Sequence, residues 1–180
     1  MNKLRLLTFL LLAAFFIQSC KKETIIGTAY TTKPFQANIN GSVWGPDTIS
    51  NTIAYSATSK TKLFTLKGTK EQKQIIMTIK LSSATNTPDF TLGTYDVDTT
   101  SVIIKYNTQV NSGGQYVFLP HGTVSAGSGS IIVTAVDSVK KQITGTFNFY
   151  SRSSAADGTI TVDNILGGEF TSLPYTFTSN

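Results

Sequence analysis

One cysteine, one histidine and a charged fraction of only 14% leave this 180-residue chain poor in the residues that most active-site chemistry needs. A single Cys excludes an internal disulfide framework and the stapled scaffolds that depend on one. A single His, with no free Cys to join it, excludes a His/Cys zinc site. No Gly-x-Ser-x-Gly stretch exists, so the nucleophile elbow of the α/β-hydrolases has no candidate. No Gly-Lys-Ser/Thr triplet closes a glycine-rich loop, so a phosphate loop has none either. The net charge of +5 falls to +3 once Lys3 and Arg5 are set aside with the leader described below. A charge so small and scattered lacks the clustered basic face of a nucleic-acid binder.

What the chain has instead is Thr and Ser, 28 and 18 residues, about a quarter of the whole. That composition suits half-exposed strands and turns better than helical bundles, where Ala, Glu, Lys and Leu dominate. No segment after the first twenty residues sustains a helical period over ten positions.

The first twenty residues form a separate unit. Lys3 and Arg5 make a basic start, and Leu6 to Ile17 is a twelve-residue run broken only by Thr8. A membrane-spanning helix needs about 20 apolar residues, so this run fits a secretory leader better than a permanent anchor. Ile17-Gln18-Ser19-Cys20 resembles the lipobox of bacterial lipoproteins, although Gln18 stands where a small residue is commoner. The resemblance implies cleavage before Cys20, acylation of that residue, and more than one acyl chain, which stable anchoring requires. It also implies residence in the outer membrane, because Lys21 stands where an inner-membrane retention signal would carry Asp. Whether the domain faces the periplasm or the cell surface is left open, since Glu23 alone matches a surface-export run poorly.

Residues 20–33 read as the lipidated Cys and a tether, and residues 34–180 as one domain. Within it, short apolar-alternating runs are separated by turn residues. Phe35 to Ile39 meets Asn40-Gly41, the favoured pair for a two-residue hairpin turn, and Ser42 to Trp44 returns. Gln74–Leu81 alternates, with Ile75, Met77, Ile79 and Leu81 on one face. Gln142–Ser151 reads as the longest strand, with Ile143, Gly145, Phe147 and Phe149 toward the core. Separate strands are expected at 159–162 and 168–171. The spacing predicts an all-β fold, a single antiparallel β-sandwich of about ten strands, with a closed β-barrel as the alternative.

The leader, the run from Phe35 to Trp44, the Gly93-Thr-Tyr95 triplet and Ile143-Thr-Gly-Thr-Phe-Asn-Phe149 together resemble a group of small Bacteroidetes-type outer-membrane lipoproteins. The likeness covers most of residues 35–171, but its motifs are structural and imply no activity. The class carries O-linked glycans at Asp-Ser/Thr followed by an apolar residue or Thr. By that resemblance Thr48, Thr99 and Ser138 are candidate modification sites. Composition alone predicts about 0.8 such triplets against the three present. The competing explanation is that Asp-Thr and Asp-Ser are good turn residues in their own right.

Other candidates read as structure. His121, in Leu-Pro-His-Gly, is expected to be a surface loop residue. Asp96 and Asp98 would share a strand face, as a carboxylate pair or Ca²⁺ site requires, but Thr-Thr-Ser after them suggests a solvated turn. Gly122–Ser130 is expected to be a flexible connection. Lys60, Lys62, Lys67, Lys70 and Lys73 suggest a solvated sheet face. Trp44 is expected in the core, while Tyr106, Tyr116 and Tyr150 are open to a sugar-stacking role. No metal, cofactor or catalytic constellation is assigned. The expected function is a non-enzymatic, lipid-anchored module that binds a glycan, a small ligand or an envelope protein. A polysaccharide hydrolase using carboxylates and a purely structural lipoprotein are the alternatives.

Overall fold

The computed structural model describes residues 33–180. The leader expected at 1–19, the lipid position Cys20 and all of the expected tether but Lys33 lie outside the described residues. Every regular element among them is a strand: β1 (Phe35–Ile39), β2 (Ser42–Trp44), β3 (Thr48–Ser56), β4 (Thr61–Lys70), β5 (Lys73–Leu81), β6 (Gly93–Asp96), β7 (Val102–Ser112), β8 (Gln115–Pro120), β9 (Gly129–Asp137), β10 (Gln142–Ser154), β11 (Ile160–Pro174) and β12 (Thr176–Ser179). They form two six-stranded sheets, β2-β1-β11-β10-β9-β6 and β12-β3-β4-β5-β7-β8. Among the described residues each sheet keeps two free edges, so they form a sandwich and the barrel alternative is overturned. All pairings are antiparallel except that of β12, which runs parallel to β3.

Alternation builds the core. β10 buries Ile143, Gly145, Phe147, Phe149 and Ser151 and exposes Thr146, Asn148, Tyr150 and Arg152, the face expected from its period. β5 buries Ile75, Met77 and Ile79 on the opposing sheet. Aromatic rings bind the layers: Phe35 meets Trp44 and Phe147 edge-on, each at 5.7 Å, and Phe64 reaches Phe170 across the sheets at 6.2 Å. Trp44 is 5% exposed and belongs to this core.

Three glycines make room for those rings. A Cβ at Gly145 would collide with the Phe170 ring and the Ile132 carbonyl, one at Gly168 with the Phe147 ring, and one at Gly68 with Phe35. Gly in a strand interior marks such close approaches.

Two expectations are corrected. The longest strand is β11, with 15 residues, rather than β10, with 13. Apart from Thr159, the segments expected to be separate strands at 159–162 and 168–171 belong to this one strand. Register shifts occur between Phe147/Phe149 and between Ile143/Gly145, opposite Gly167 and Ser172, whose φ angles are +55° and +46°. An extra residue in a left-handed conformation lets a strand bulge and then resume its pairing. The turn-like composition at Gly167-Gly168 therefore signals a bulge within one strand.

Candidate functional site

The chemistry-bearing side chains gather at the two opposite ends of the sandwich. Lys62 pairs with Leu81 at one end of the β4–β5 ladder, while Lys73, at the other end, pairs with Thr108 of β7.

The Thr108 end holds His121. Its main-chain N–H donates to the Tyr106 carbonyl at 2.8 Å, fixing the residue that follows β8. The imidazole Nε2 lies 3.1 Å from Oδ2 of Asp163, Nδ1 lies 3.3 Å from the Thr108 hydroxyl, and the ring stands edge-on to Tyr106 at 5.6 Å. Asp163 has the inward parity of Ile165 on β11 and is itself buried. Its Oδ1 accepts from Asn40 Nδ2 at 2.7 Å. Its Oδ2 has the imidazole as a neighbour but no aligned donor. Asn40, in the β1–β2 turn, also accepts the Asn164 N–H through Oδ1 and donates its own N–H to the Asn164 carbonyl. One buried carboxylate therefore organises a hairpin turn, a long strand and a loop. His121 is a surface loop residue as expected, its side chain 41% exposed, and the sequence did not show that it sits against a buried carboxylate.

Ser151, the next inward residue of β10 after Phe149, brings a hydroxyl to the same end. It donates to the His121 carbonyl at 2.5 Å, while the imidazole is turned to Asp163 and Thr108. Serine, histidine and aspartate thus meet without the hydroxyl-to-imidazole bond that nucleophile activation requires. The Tyr106 phenol is pushed up to about 12, first by burial and then by the negative charge of Asp163. Beside it, Ile103–Tyr106, Pro120 and Gly122–Val124 line a shallow depression of about 210 Å³.

The segment after His121 is tied down, which corrects the flexible-connection expectation. Thr123 and Arg152 exchange backbone bonds at 2.8 and 3.0 Å, Tyr150 N–H donates to the Ser128 carbonyl, and Gly127 N–H to the Val97 carbonyl. It thereby extends sheet pairing along β10 where β9 has ended. Gly122 has φ +83°, and a Cβ there would meet the Arg152 main chain at 2.7 Å, so glycine is required.

At the opposite end Lys62 points inward, in line with Phe64 and Leu66, rather than onto a solvated face with Lys60 and Lys67. Its Nζ donates to the Asp89 carbonyl and carboxylate, both at 2.8 Å, and to the Thr87 hydroxyl at 3.3 Å. These bonds hold the Asp89 carboxyl below the usual carboxylate range. They also pin the β5–β6 loop, where Phe90 packs on Phe64 at 5.5 Å and the Tyr175 hydroxyl donates to the Pro88 carbonyl.

The Asp96/Asp98 pair does not form a joint site. Asp98 Oδ1 instead accepts the N–H groups of Thr100, Ser101 and Val102 at 2.7–2.8 Å, which lowers its pKa to about 2. Among the described residues no group of three or more His, Cys, Asp or Glu side chains is placed to hold a metal ion. Thr99 is exposed in that turn, Ser138 is half-buried in the β9–β10 turn, and Thr48 is exposed on the first residue of β3 rather than in a loop. Asp137 caps its own turn, accepting the N–H groups of Val139 and Lys140 at 3.1 and 2.8 Å. Turn formation thus accounts for two of the three Asp-Ser/Thr triplets. The tyrosines divide: Tyr106 is buried, Tyr150 is exposed on the outer face of β10, and Tyr116 is 68% exposed on β8. No shared sugar platform joins them.

The β7–β8 hairpin exposes apolar surface at the edge of its sheet. Beyond Gln109, whose N–H donates to the Gln72 carbonyl at 2.8 Å, β7 has only β8 as a partner among the described residues, in a hairpin closed by Gly113-Gly114 with φ angles of +62° and +84°. β8 is an edge strand reading Gln-Tyr-Val-Phe-Leu-Pro, with no charge in it. Tyr116 and Leu119 are exposed, as is Val110 opposite Val117. Turn chemistry and alternation were legible in this segment; that it projects past its neighbours was not.

A family model described as Domain of unknown function (DUF6252) matches residues 31–174. No curated protein and no solved structure matches the chain.

Proposed function

The chain belongs to the DUF6252 family, a domain of unknown function, and on that footing we propose that it is a lipid-anchored outer-membrane lipoprotein whose sandwich is a non-enzymatic binding module. The observation that carries the binding reading is β8: a six-residue, uncharged edge strand with Tyr116 exposed. Natural sheets guard such edges with charge, bulges or cover, because unpaired backbone groups template strand addition. The His121 and Lys62 clusters support the reading from the other side. Lys62 Nζ and the Asn40 amide are spent on holding loops and turns, and the Ser151 hydroxyl donates to the His121 carbonyl.

Anchoring rests on Cys20 after its twelve-residue apolar run. Metabolic labelling with a clickable palmitate should tag the wild type and not Cys20→Ala; equal labelling overturns the anchor. For binding, a photocrosslinking residue replacing Tyr116 in the full chain should capture a product in the native envelope, while the same probe at Tyr150 should not. Equal capture at both overturns the assignment to β8. O-linked modification at Thr48, Thr99 or Ser138 is part of the same envelope reading. Intact mass of the native protein, with and without the Thr48→Ala, Thr99→Ala, Ser138→Ala triple change, decides it.

A further inference from the structure

We propose that β8 pairs edge to edge with β8 of a second copy of this chain, antiparallel and centred on Val117; the inference rests on the binding reading above and names the partner. The other three free edges are shorter, with three residues in β2 and four each in β6 and β12. β12 is further tied at its end by Asn180 N–H to the Tyr55 carbonyl.

The hairpin determines which groups of β8 are free. A two-residue turn makes Ser112 and Gln115 the closing hydrogen-bonded pair. Antiparallel pairing then alternates, so Gln115, Val117 and Leu119 direct their backbone groups to β7. Tyr116 and Phe118 direct theirs to the open edge. Pro120 also faces outward, where its missing N–H removes nothing from β7.

A two-fold axis at Val117 sets Tyr116 opposite Phe118 of the second copy, and Phe118 opposite its Tyr116. All four outward backbone pairs then have a partner without any donor from Pro120. Tyr116 and Phe118 share the outer face of the sheet, so the same register makes two cross-strand aromatic pairs. A register centred on Phe118 would place Tyr116 opposite Pro120, which cannot donate. The strand carries no charge, so like charges never meet across the axis. A closed, isologous pair is the commonest way for such a self-complementary surface to be satisfied.

In this register Val117 faces its own copy in a non-hydrogen-bonded pair, with Cα atoms about 4.5 Å apart, inside the span of a disulfide. The full chain carrying Val117→Cys, oxidised mildly in its native envelope, should give a disulfide-linked species of twice the chain mass. Wild type, whose one Cys is Cys20, should not, and Leu119→Cys, opposite Gln115, should give at least several-fold less. Equal yields at 117 and 119 would overturn the register, and no dimer at 117 would overturn the self-pairing. Val117→Lys should abolish a dimer seen by sedimentation velocity of the detergent-solubilised full chain, with the far-ultraviolet circular dichroism unchanged; Val117→Thr should retain it. A persistent Val117→Lys dimer overturns the proposal. A Tyr116 photoproduct of another mass, with no dimer at 117, sinks the self-pairing and leaves the binding module standing. Absence of any Tyr116 product removes both.

Discussion

At the Lys62 end of the sandwich the buried charge is a strand-borne cation whose loop partner, Asp89, is open to water; side-chain exposures are 4% and 62%. At the His121 end the buried charge is a strand-borne anion, Asp163, whose loop partner is an exposed ring; exposures are 10% and 41%. Both pairs fasten a loop over the mouth between two sheets, one through a buried cation and the other through a buried carboxylate. The difference lies in reach. Lysine covers apolar neighbours with a four-carbon stem and carries its charge to the rim. Aspartate has no such stem, so its partners must come to it: Asn40 from one hairpin and His121 from the loop after another. The short side chain thus organises more of the fold than the long one, though each end pairs a buried strand residue with a loop.

The comparison can be broken in graded ways. The scale is set midway, at Gly145, where a side chain would strike the Ile132 carbonyl and the Phe170 ring. Gly145→Val should cost about 3 kcal/mol or more, since backbone cannot move aside as a side-chain tip can. An unchanged denaturation midpoint would refute the close approach. Next, Asp163→Ala should cost about 1–3 kcal/mol, because it removes the buried carboxylate to which Asn40 Nδ2 donates and opens a gap. Lys62→Met keeps the stem and removes the charge, and should change stability by no more than about 1 kcal/mol. If the two substitutions cost the same in denaturant titrations, the argument from reach fails.

Titration sharpens the contrast further. Tyr106, with a pKa near 12 against an ordinary 10, favours the fold while protonated. Its contribution is complete below pH 10 and lost as pH rises toward 12. Tyr106→Phe should flatten the alkaline fall in melting temperature more than Tyr116→Phe does. The smallest effect belongs to Asp98, away from both ends' buried pairs. Its carboxyl, near 2 in the fold against an ordinary 3.8, contributes above that ordinary value and ceases as pH falls through 2. Asp98→Asn should remove a shallow part of the acid-side slope and leave the alkaline side untouched.

Much of this was legible from local pattern. Asn40-Gly41 marked the first hairpin, and alternation in Gln142–Ser151 placed Gly145 on the core face. Other features were visible only in part. Asp163 and Lys62 occupy inward parity positions in the sequence, a signal that charge at those positions must be satisfied. Their partners could not be read there, since His121 lies on another strand's exit and Asp89 in a long loop. The β11 bulges looked like breaks because Gly167 and Ser172 carry turn chemistry; pairing on both sides of β11 is what carries the strand through.

By itself, then, the sequence determined the strand class, the main hairpin and the faces that enter the core, because a period of two and a two-residue turn are set by covalent geometry and near neighbours. It also settled the poverty of imidazole and thiol. Which strands became neighbours, why Lys62 points inward, how Asp163 gathers Asn40 and His121, and why β8 is left as an open edge were decided only by the tertiary structure. Those outcomes depend on burial and on contacts between residues distant in the chain, and no local pattern encodes the cost of an unpaired charge or strand edge until the sheets have closed over it.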